Sequence, residues 1–154
     1  MAAFFFDSSA LVKRYIVEIG TNWVNQVLNP ATRHRIHVAR ITEVEVAAAL
    51  IRRVHTKSIS QADAAKAKKQ FDQEMQTCYR IVEITPAVFR SAAQLAVTHE
   101  IRAYDAVQLA AAVVVHSRRT ARKLPPLTLA ASDQELLAAA KAEGLLVEDP
   151  QTHP

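Results

Sequence analysis

The sequence predicts a three-layer α/β/α domain built on a central parallel sheet of four or five strands, spanning residues 1–150. Three observations carry this reading. Short stretches such as AAFFF, RIHVARI and LTLAAS are apolar or β-branched, and longer amphipathic stretches separate them. Strands that are apolar on both faces belong to a sheet covered by helices on both sides, and parallel strands need crossover helices between them. Only two glycines occur in 154 residues and alanine is abundant, so the connecting segments favour helix.

In chain order, AAFFF is a buried strand, and SSALVKRYIVE continues it with helical spacing, Leu11 with Tyr15 and Val12 with Ile16. RIHVARI is the second strand. TEVEVAAALIRRV, from Thr42 to Val54, is a helix, and a further helix starts at Ser60, an N-cap with Asp63 three residues on. YRIVEI is a strand, and Pro86 opens a helix that runs to about His99. Another helix begins near Tyr104 and continues through AVQLAAAVVVHSRR. Beyond the breaker LPP, LTLAAS is a strand, DQELLAAAKAEG a helix closed by Gly144, and LLVEDP the last strand. The final QTHP, residues 151–154, reads as a frayed tail.

Half of the residues are hydrophobic and 22% are charged, the balance of a globular protein. A net charge of +4 is compatible with a polyanionic partner. Cys78 is alone, which excludes an internal disulfide and a Cys-based zinc site and suits a reducing compartment. Asp7 interrupts the apolar start too early for a secretion signal, and AVQLAAAVVV is too short to span a bilayer. A cytoplasmic protein without membrane association is the expectation.

In parallel α/β sheets, sites form beyond the carboxyl ends of the strands. Asp7 follows the first strand, Asp133 follows LTLAA, Glu45 lies early in the helix after the second strand, and Asp105 early in the helix from Tyr104. Carboxylates brought together repel one another, and a divalent cation relieves the conflict; Mg²⁺ and Mn²⁺ favour such oxygen ligands. Each residue also fits a structural role. Asp7, Ser8 or Ser9 could cap a helix, Thr42-x-x-Glu45 and Ser132-x-x-Glu135 fit capping boxes, and Asp105 and Asp133 suit first helical turns.

Other chemistries lack their residues. There is no G-x-x-x-x-G-K-[ST] or G-x-G-x-x-G loop, the His residues show no ligand spacing, and Ser8 and Ser9 have no evident His partner. A receiver-type phosphoacceptor site would need an acid beside Asp7, and a D-x-D phosphatase an acid at position 9, where Ser stands. Basic residues gather at 33–35, 52–53, 66–69 and 118–123. Lys13 and Arg14, just after Asp7, are the better candidates for contacting phosphates.

Four blocks then resemble the PIN-domain proteins, specifically VapC-like toxins. FFFDSSALVKRY is similar to their opening block, RITEVEVAAALIRR to the second, IRAYDAVQLAAAV to the third, and LAASDQELLAAAKAEGLLVEDP to the closing one, over about Phe4 to Pro150. The third block is the most specific. The resemblance implies a PIN-like fold, with metal ligands at Asp7, Glu45, Asp105 and Asp133 and Ser9 as a supporting hydroxyl. Glu43 competes with Glu45; EVAAAL carries the family register at Glu45, and the two side chains leave the helix about 160° apart. One departure stands out: the family places Thr or Ser two residues before the last Asp, and here that position is Ala131.

The implied activity is Mg²⁺- or Mn²⁺-dependent hydrolysis of RNA phosphodiesters by an endoribonuclease, leaving 5′-phosphate and 3′-hydroxyl ends. The implied partners are a cognate antitoxin and a second copy in a homodimer. The alternative is a non-catalytic PIN-like module that binds RNA or protein.

Overall fold

The computed structural model describes residues 1–154. Its centre is a five-stranded sheet in the order β3-β2-β1-β4-β5, with every neighbouring pair parallel. The strands are β1 (Ala3–Phe6), β2 (Arg35–Ala39), β3 (Arg80–Val82), β4 (Thr128–Ala130) and β5 (Leu146–Glu148). Around them lie α1 (Ser8–Leu11), α2 (Thr21–Val27), α3 (Thr42–His55), α4 (Gln61–Thr77), α5 (Pro86–His99), α6 (Ala103–Ala121) and α7 (Gln134–Ala142).

The three phenylalanines of β1 show why the sheet needs two covers. Successive side chains of a strand point to opposite faces. Phe5 joins a buried cluster with Val88, Leu95, Leu109 and Leu136 of α5, α6 and α7. Phe6 joins a second cluster on the other face, with Leu11, Val24, Val46 and Phe71 of α1 to α4. Both rings are fully buried, each worth roughly 2–3 kcal/mol of apolar transfer. No helix is long and apolar enough to cross a membrane.

Local signals set most boundaries. Ser60 Oγ accepts from the Asp63 amide at 3.0 Å, and Thr85 Oγ1 accepts from Val88 at 3.3 Å with Pro86 opening α5. Gly144, at φ +87°, follows α7 in the left-handed region that glycine tolerates best.

Three segments differ from the sequence expectation. The helix from Ser8 stops at Leu11, tightens into a 3₁₀ turn over Val12–Arg14 and then breaks. Thr21 Oγ1 donates to the Lys13 carbonyl at 2.8 Å, so that carbonyl is taken up by a side chain rather than by the next helical turn. The sequence reading missed α2 altogether, because its apolar pattern is short. Packing holds it: Val24 and Val27 are buried, and Trp23 lies against Phe4 and Phe6 at 6.4 and 6.3 Å.

Residues 151–154, expected to fray, instead continue from Pro150 into a turn over Pro150–Thr152. Pro150 is buried, His153 stacks on Trp23 at 4.9 Å and 9°, and His153 Nε2 hydrogen-bonds with Glu148 at 2.9 Å. A short aromatic contact thus replaces the core that a frayed tail would lack. The turn approaches Gly20, where φ is +94° and an added Cβ would stand 2.4 Å from the Pro150 carbonyl oxygen. Gly20→Ala is therefore expected to cost about 2 kcal/mol or more, through strain and overpacking together. Thermal unfolding should register this as a drop of roughly 4–8 °C.

The chain runs from β1 outward to β2 and β3, then crosses back to lay β4 against the other side of β1. The carboxyl ends of β1 and β4 therefore flank the topological switch, where such sheets open a crevice. Asp7 and Ser132 follow those two ends, and the Asp7 amide donates to the Ala130 carbonyl at 3.0 Å.

Candidate active site

Asp7 caps the short helix that follows it, one of the two roles its sequence context offered. Its Oδ2 accepts from the Ser9 amide at 3.1 Å and from Ser9 Oγ at 2.5 Å, capping α1. Its Oδ1 is buried and has no hydrogen-bond partner. Ser9 Oγ also accepts from the Ser132 amide at 2.9 Å, tying the end of β1 to the end of β4. Burial pushes the Asp7 carboxyl up to about 7, against the hydrogen bonds from Ser9, with Glu45 and Asp105 adding repulsion.

Glu45 reaches this crevice from the first turns of α3. Its Oε1 accepts from Gln108 Nε2 at 2.6 Å and its Oε2 from Ser8 Oγ at 3.0 Å. The expected capping box with Thr42 does not form: Ile41 is the N-cap, and Thr42 is buried with its Oγ1 accepting from Gln108 Nε2 at 2.9 Å. Burial raises the Glu45 pKa, opposed by its two hydrogen bonds and supported by Asp105. Glu43 leaves the helix elsewhere and pairs with Arg40 at 2.6 Å on the surface.

Asp105 lies in the first turn of α6, and its pKa is raised by burial and then by Asp133, against Arg102. Repulsion runs through the set: Glu45 and Asp105 raise Asp7, Asp105 raises Glu45, and Asp133 raises Asp105. Asp133 differs in how its oxygens are committed. Its Oδ1 caps α7 by accepting from the Leu136 amide at 2.9 Å, and its Oδ2 accepts from Arg102 Nη2 at 2.9 Å. The capping box expected at Ser132 is therefore displaced by one residue, because Asp133 itself is the N-cap. Ser132 Oγ is left buried and without a partner, and at the Ala131 position only a backbone amide, bonded to the Glu148 carbonyl, is engaged.

The donor chemistry fits a hard divalent cation: all donors are oxygens, one buried carboxylate oxygen is unpaired, and the carboxylates repel one another. As the side chains are posed, no three His, Cys, Asp or Glu groups converge closely enough to hold an ion. The hydrogen bonds from Ser9, Ser8 and Gln108 hold Asp7 and Glu45, while Arg102 draws Asp105 and Asp133 toward itself. The four expected ligands are accordingly placed as Asp7 and Glu45 held by hydroxyl and amide donors, and Asp105 and Asp133 joined through Arg102.

Beside them is a cavity of about 460 Å³, walled by Ser8, Ser9, Lys13, Glu45, Val44 and Tyr104 among others. The two expected phosphate contacts are committed elsewhere. Lys13 lines the cavity but is buried, its Nζ 3.3 Å from Glu18, which also binds Arg53. Arg14 turns away, donating from Nε and Nη2 to Glu74 at 2.7 and 2.8 Å. Tyr15 and Tyr79 donate to the same carboxylate, and although burial opposes it, these bonds hold Glu74 down at about 2. A helix of only four residues rotates Arg14 onto the α4 side, which sequence spacing did not show.

Sequence reading also missed Gln108 and Arg102. Gln108 is fully buried three residues beyond Asp105, on the same side of α6. Its signal was a lone amide inside the apolar run AVQLAAAVVV.

No family model matches the chain. The chain is 29% identical to ribonuclease VapC45 and to ribonuclease VapC49 of two Mycobacterium tuberculosis strains, each over 154 residues covering all of both chains. The chain thus resembles VapC ribonucleases over its whole length. The fold agrees: it is shared with PAE2754 of Pyrobaculum aerophilum at a TM-score of 0.65 and 20% identity, over 99% of this chain and 86% of that one. It is shared also with the Rickettsia felis VapBC2 structure, bound to a DNA fragment from its promoter, at 0.61 and 12%, over 96% and 98%. A third likeness is FitAcB of Neisseria gonorrhoeae, at 0.60 and 16%, over 96% and 97%. This chain carries Asp7 and Asp133 just beyond the carboxyl ends of two neighbouring parallel strands.

Proposed function

We propose that this VapC-like chain is a divalent-cation-dependent endoribonuclease and the toxin of a toxin–antitoxin pair. The observation that carries the reading is Asp7: a buried carboxylate with one unpaired oxygen, at the sheet's switch point, beside Glu45 and Asp105. The likeness to two VapC ribonucleases over the full length supports it.

Asp7, Glu45 and Asp105 would hold Mg²⁺ or Mn²⁺. A bound cation would supply Lewis-acid polarisation of the phosphoryl oxygen and an acidified water. Ser9 fixes the Asp7 carboxylate by its two hydrogen bonds, and Gln108 with Ser8 fixes Glu45. Glu45, made more basic by burial, suits the role of accepting a proton from the attacking water. Tyr104, 56% exposed on the cavity wall, offers a ring on which an unpaired base can stack. Asp133 acts at one remove, by setting the start of α7 and holding Arg102 near Asp105.

The partner in this reading is an antitoxin segment that covers the acidic cavity, and the assembly is a homodimer, which light scattering checks. The activity itself is tested with purified protein and single-stranded RNA. Cleavage is expected with Mg²⁺ or Mn²⁺, lost in EDTA and restored by excess cation. Undiminished cleavage in EDTA would overturn the metal role. RNA binding without cleavage at any cation concentration would favour the binding-module alternative.

A further inference from the structure

A larger cavity, of about 720 Å³, is a different one. It lies between the β3 edge of the sheet and the last turns of α6, and shares no lining residue with the acidic cavity. Asp105 and Arg119 stand at opposite ends of α6, fourteen residues or about 21 Å apart along the axis.

Five arginines line this cavity: Arg35, Arg80, Arg118, Arg119 and Arg122. None of the five makes an ion pair, whereas Arg14, Arg40, Arg53 and Arg102 each hold a carboxylate. The one carboxylate on the wall, Glu83, is taken by Arg40. Arg119 is oriented by donating its Nε to the Pro125 carbonyl at 3.0 Å. His37, also on the wall, is pushed down to about 4 by burial and then by Arg80, Arg119 and Arg35, so it stays neutral among them. The rest of the lining includes Val82, Val88, Val114, Val115 and Leu124.

Helix-end electrostatics account for Arg118 and Arg119, which sit in the last turn of α6 where cations are favoured. They do not account for Arg35 and Arg80, which open β2 and β3 and bring two more unpaired charges to the same space. Guanidinium groups bind phosphate in a bidentate fork, and several around one cavity suit a ligand with several phosphates. The apolar wall gives a base something to lie against.

We propose that this cavity binds nucleotide phosphate, holding single-stranded RNA at a second point remote from the acidic site. The identity of the RNA as substrate rests on the function proposed above; the binding itself does not.

The test measures binding of labelled single-stranded RNA to the full chain in EDTA, with the RNA checked for integrity afterwards. The variants are Arg35→Ala/Arg80→Ala/Arg122→Ala at exposed positions, a control Lys66→Ala/Lys69→Ala/Arg90→Ala, and Arg122→Glu alone should the triple variant fail to fold. The arginine triple, or Arg122→Glu in its place, is expected to weaken binding at least tenfold, and the control less than threefold. The slope of log affinity against log salt should fall by about 2 in the triple, roughly 0.7 per lost phosphate contact. AMP and inorganic phosphate form a second arm: direct AMP binding that is lost in the arginine variants would assign the site to free nucleotide, which the proposal also covers. Equal RNA and AMP affinities in the arginine variants and the control would overturn it. So would polyglutamate binding that depends on these arginines while RNA binding does not. Cleavage with Mg²⁺ is read separately. The proposal predicts a raised KM with kcat retained in the triple, and a wild-type chain that binds but never cuts would sink the nuclease reading alone.

Discussion

Asp7→Asn is expected to reduce RNA cleavage by at least about 10³-fold while leaving the fold intact. The side chain combines a capping role with a ligand role, and asparagine separates them. Its amide oxygen can still accept from the Ser9 amide and Oγ, so α1 keeps its cap. What disappears is the anionic oxygen now buried without a partner. Several kcal/mol of transition-state stabilisation depend on a cation held there, and about 4 kcal/mol corresponds to a factor of roughly 10³. Full cleavage by purified Asp7→Asn protein would remove the basis of the nuclease reading.

The same variant has a second expected signature, in stability. The folded-state pKa of Asp7 is raised to about 7 from 3.8, chiefly by burial. The fold therefore favours the protonated carboxyl, and metal-free protein should lose stability as pH rises from about 4 to about 7, on the order of a few kcal/mol. Asparagine cannot ionise. In EDTA, Asp7→Asn should match the wild type near pH 4 and exceed it near pH 8, and thermal unfolding across that range reads the difference. Parallel melting curves for the two proteins would show that Asp7 ionises freely in the fold.

The second large effect is expected at Glu45, with Glu43 as its internal control. Glu45→Gln should lower cleavage by about 10²-fold, the range found when a metal-site carboxylate or its support is altered. Glu43→Gln should change it less than about twofold, since Glu43 only pairs with Arg40 at the surface, a contact worth under about 1 kcal/mol. The substitution preserves shape and keeps one acceptor oxygen for Ser8 or Gln108, so loss of activity reports the charge together with one accepted hydrogen bond. Steady-state cleavage at saturating Mg²⁺ is the measurement. A larger loss at Glu43 than at Glu45 would reverse the assignment.

The acidic set was legible because its positions follow from topology. A residue just past a buried parallel strand must emerge at the carboxyl edge, and Asp7 does so whatever its side chain then contacts. Glu45 could be preferred over Glu43 on the family register of EVAAAL together with helical phase, and the structure places it beside Ser8 and Gln108. Asp133 looked equivalent to the other acids because its position relative to β4 is equivalent. Its two oxygens are committed to Leu136 and Arg102, a fact that depends on where the end of α5 brings Arg102. Lys13 and Arg14 are drawn to carboxylates for a related reason. Their sequence neighbours are the site, but their spatial neighbours are Glu18 and Glu74.

By itself the sequence determined the α/β class, the parallel sheet, most helix boundaries and the acids on its carboxyl edge. Those follow from apolar periodicity and capping, which act over a few residues. Only the tertiary structure decided the strand order that sets Asp7 at the switch, the docking of the last residues on Trp23, and the pairing of each charge. It alone also gathered Arg35, Arg80 and Arg119, scattered along the chain, around one cavity without a carboxylate partner. Charge pairing depends on distances between distant segments, and no local pattern records those distances.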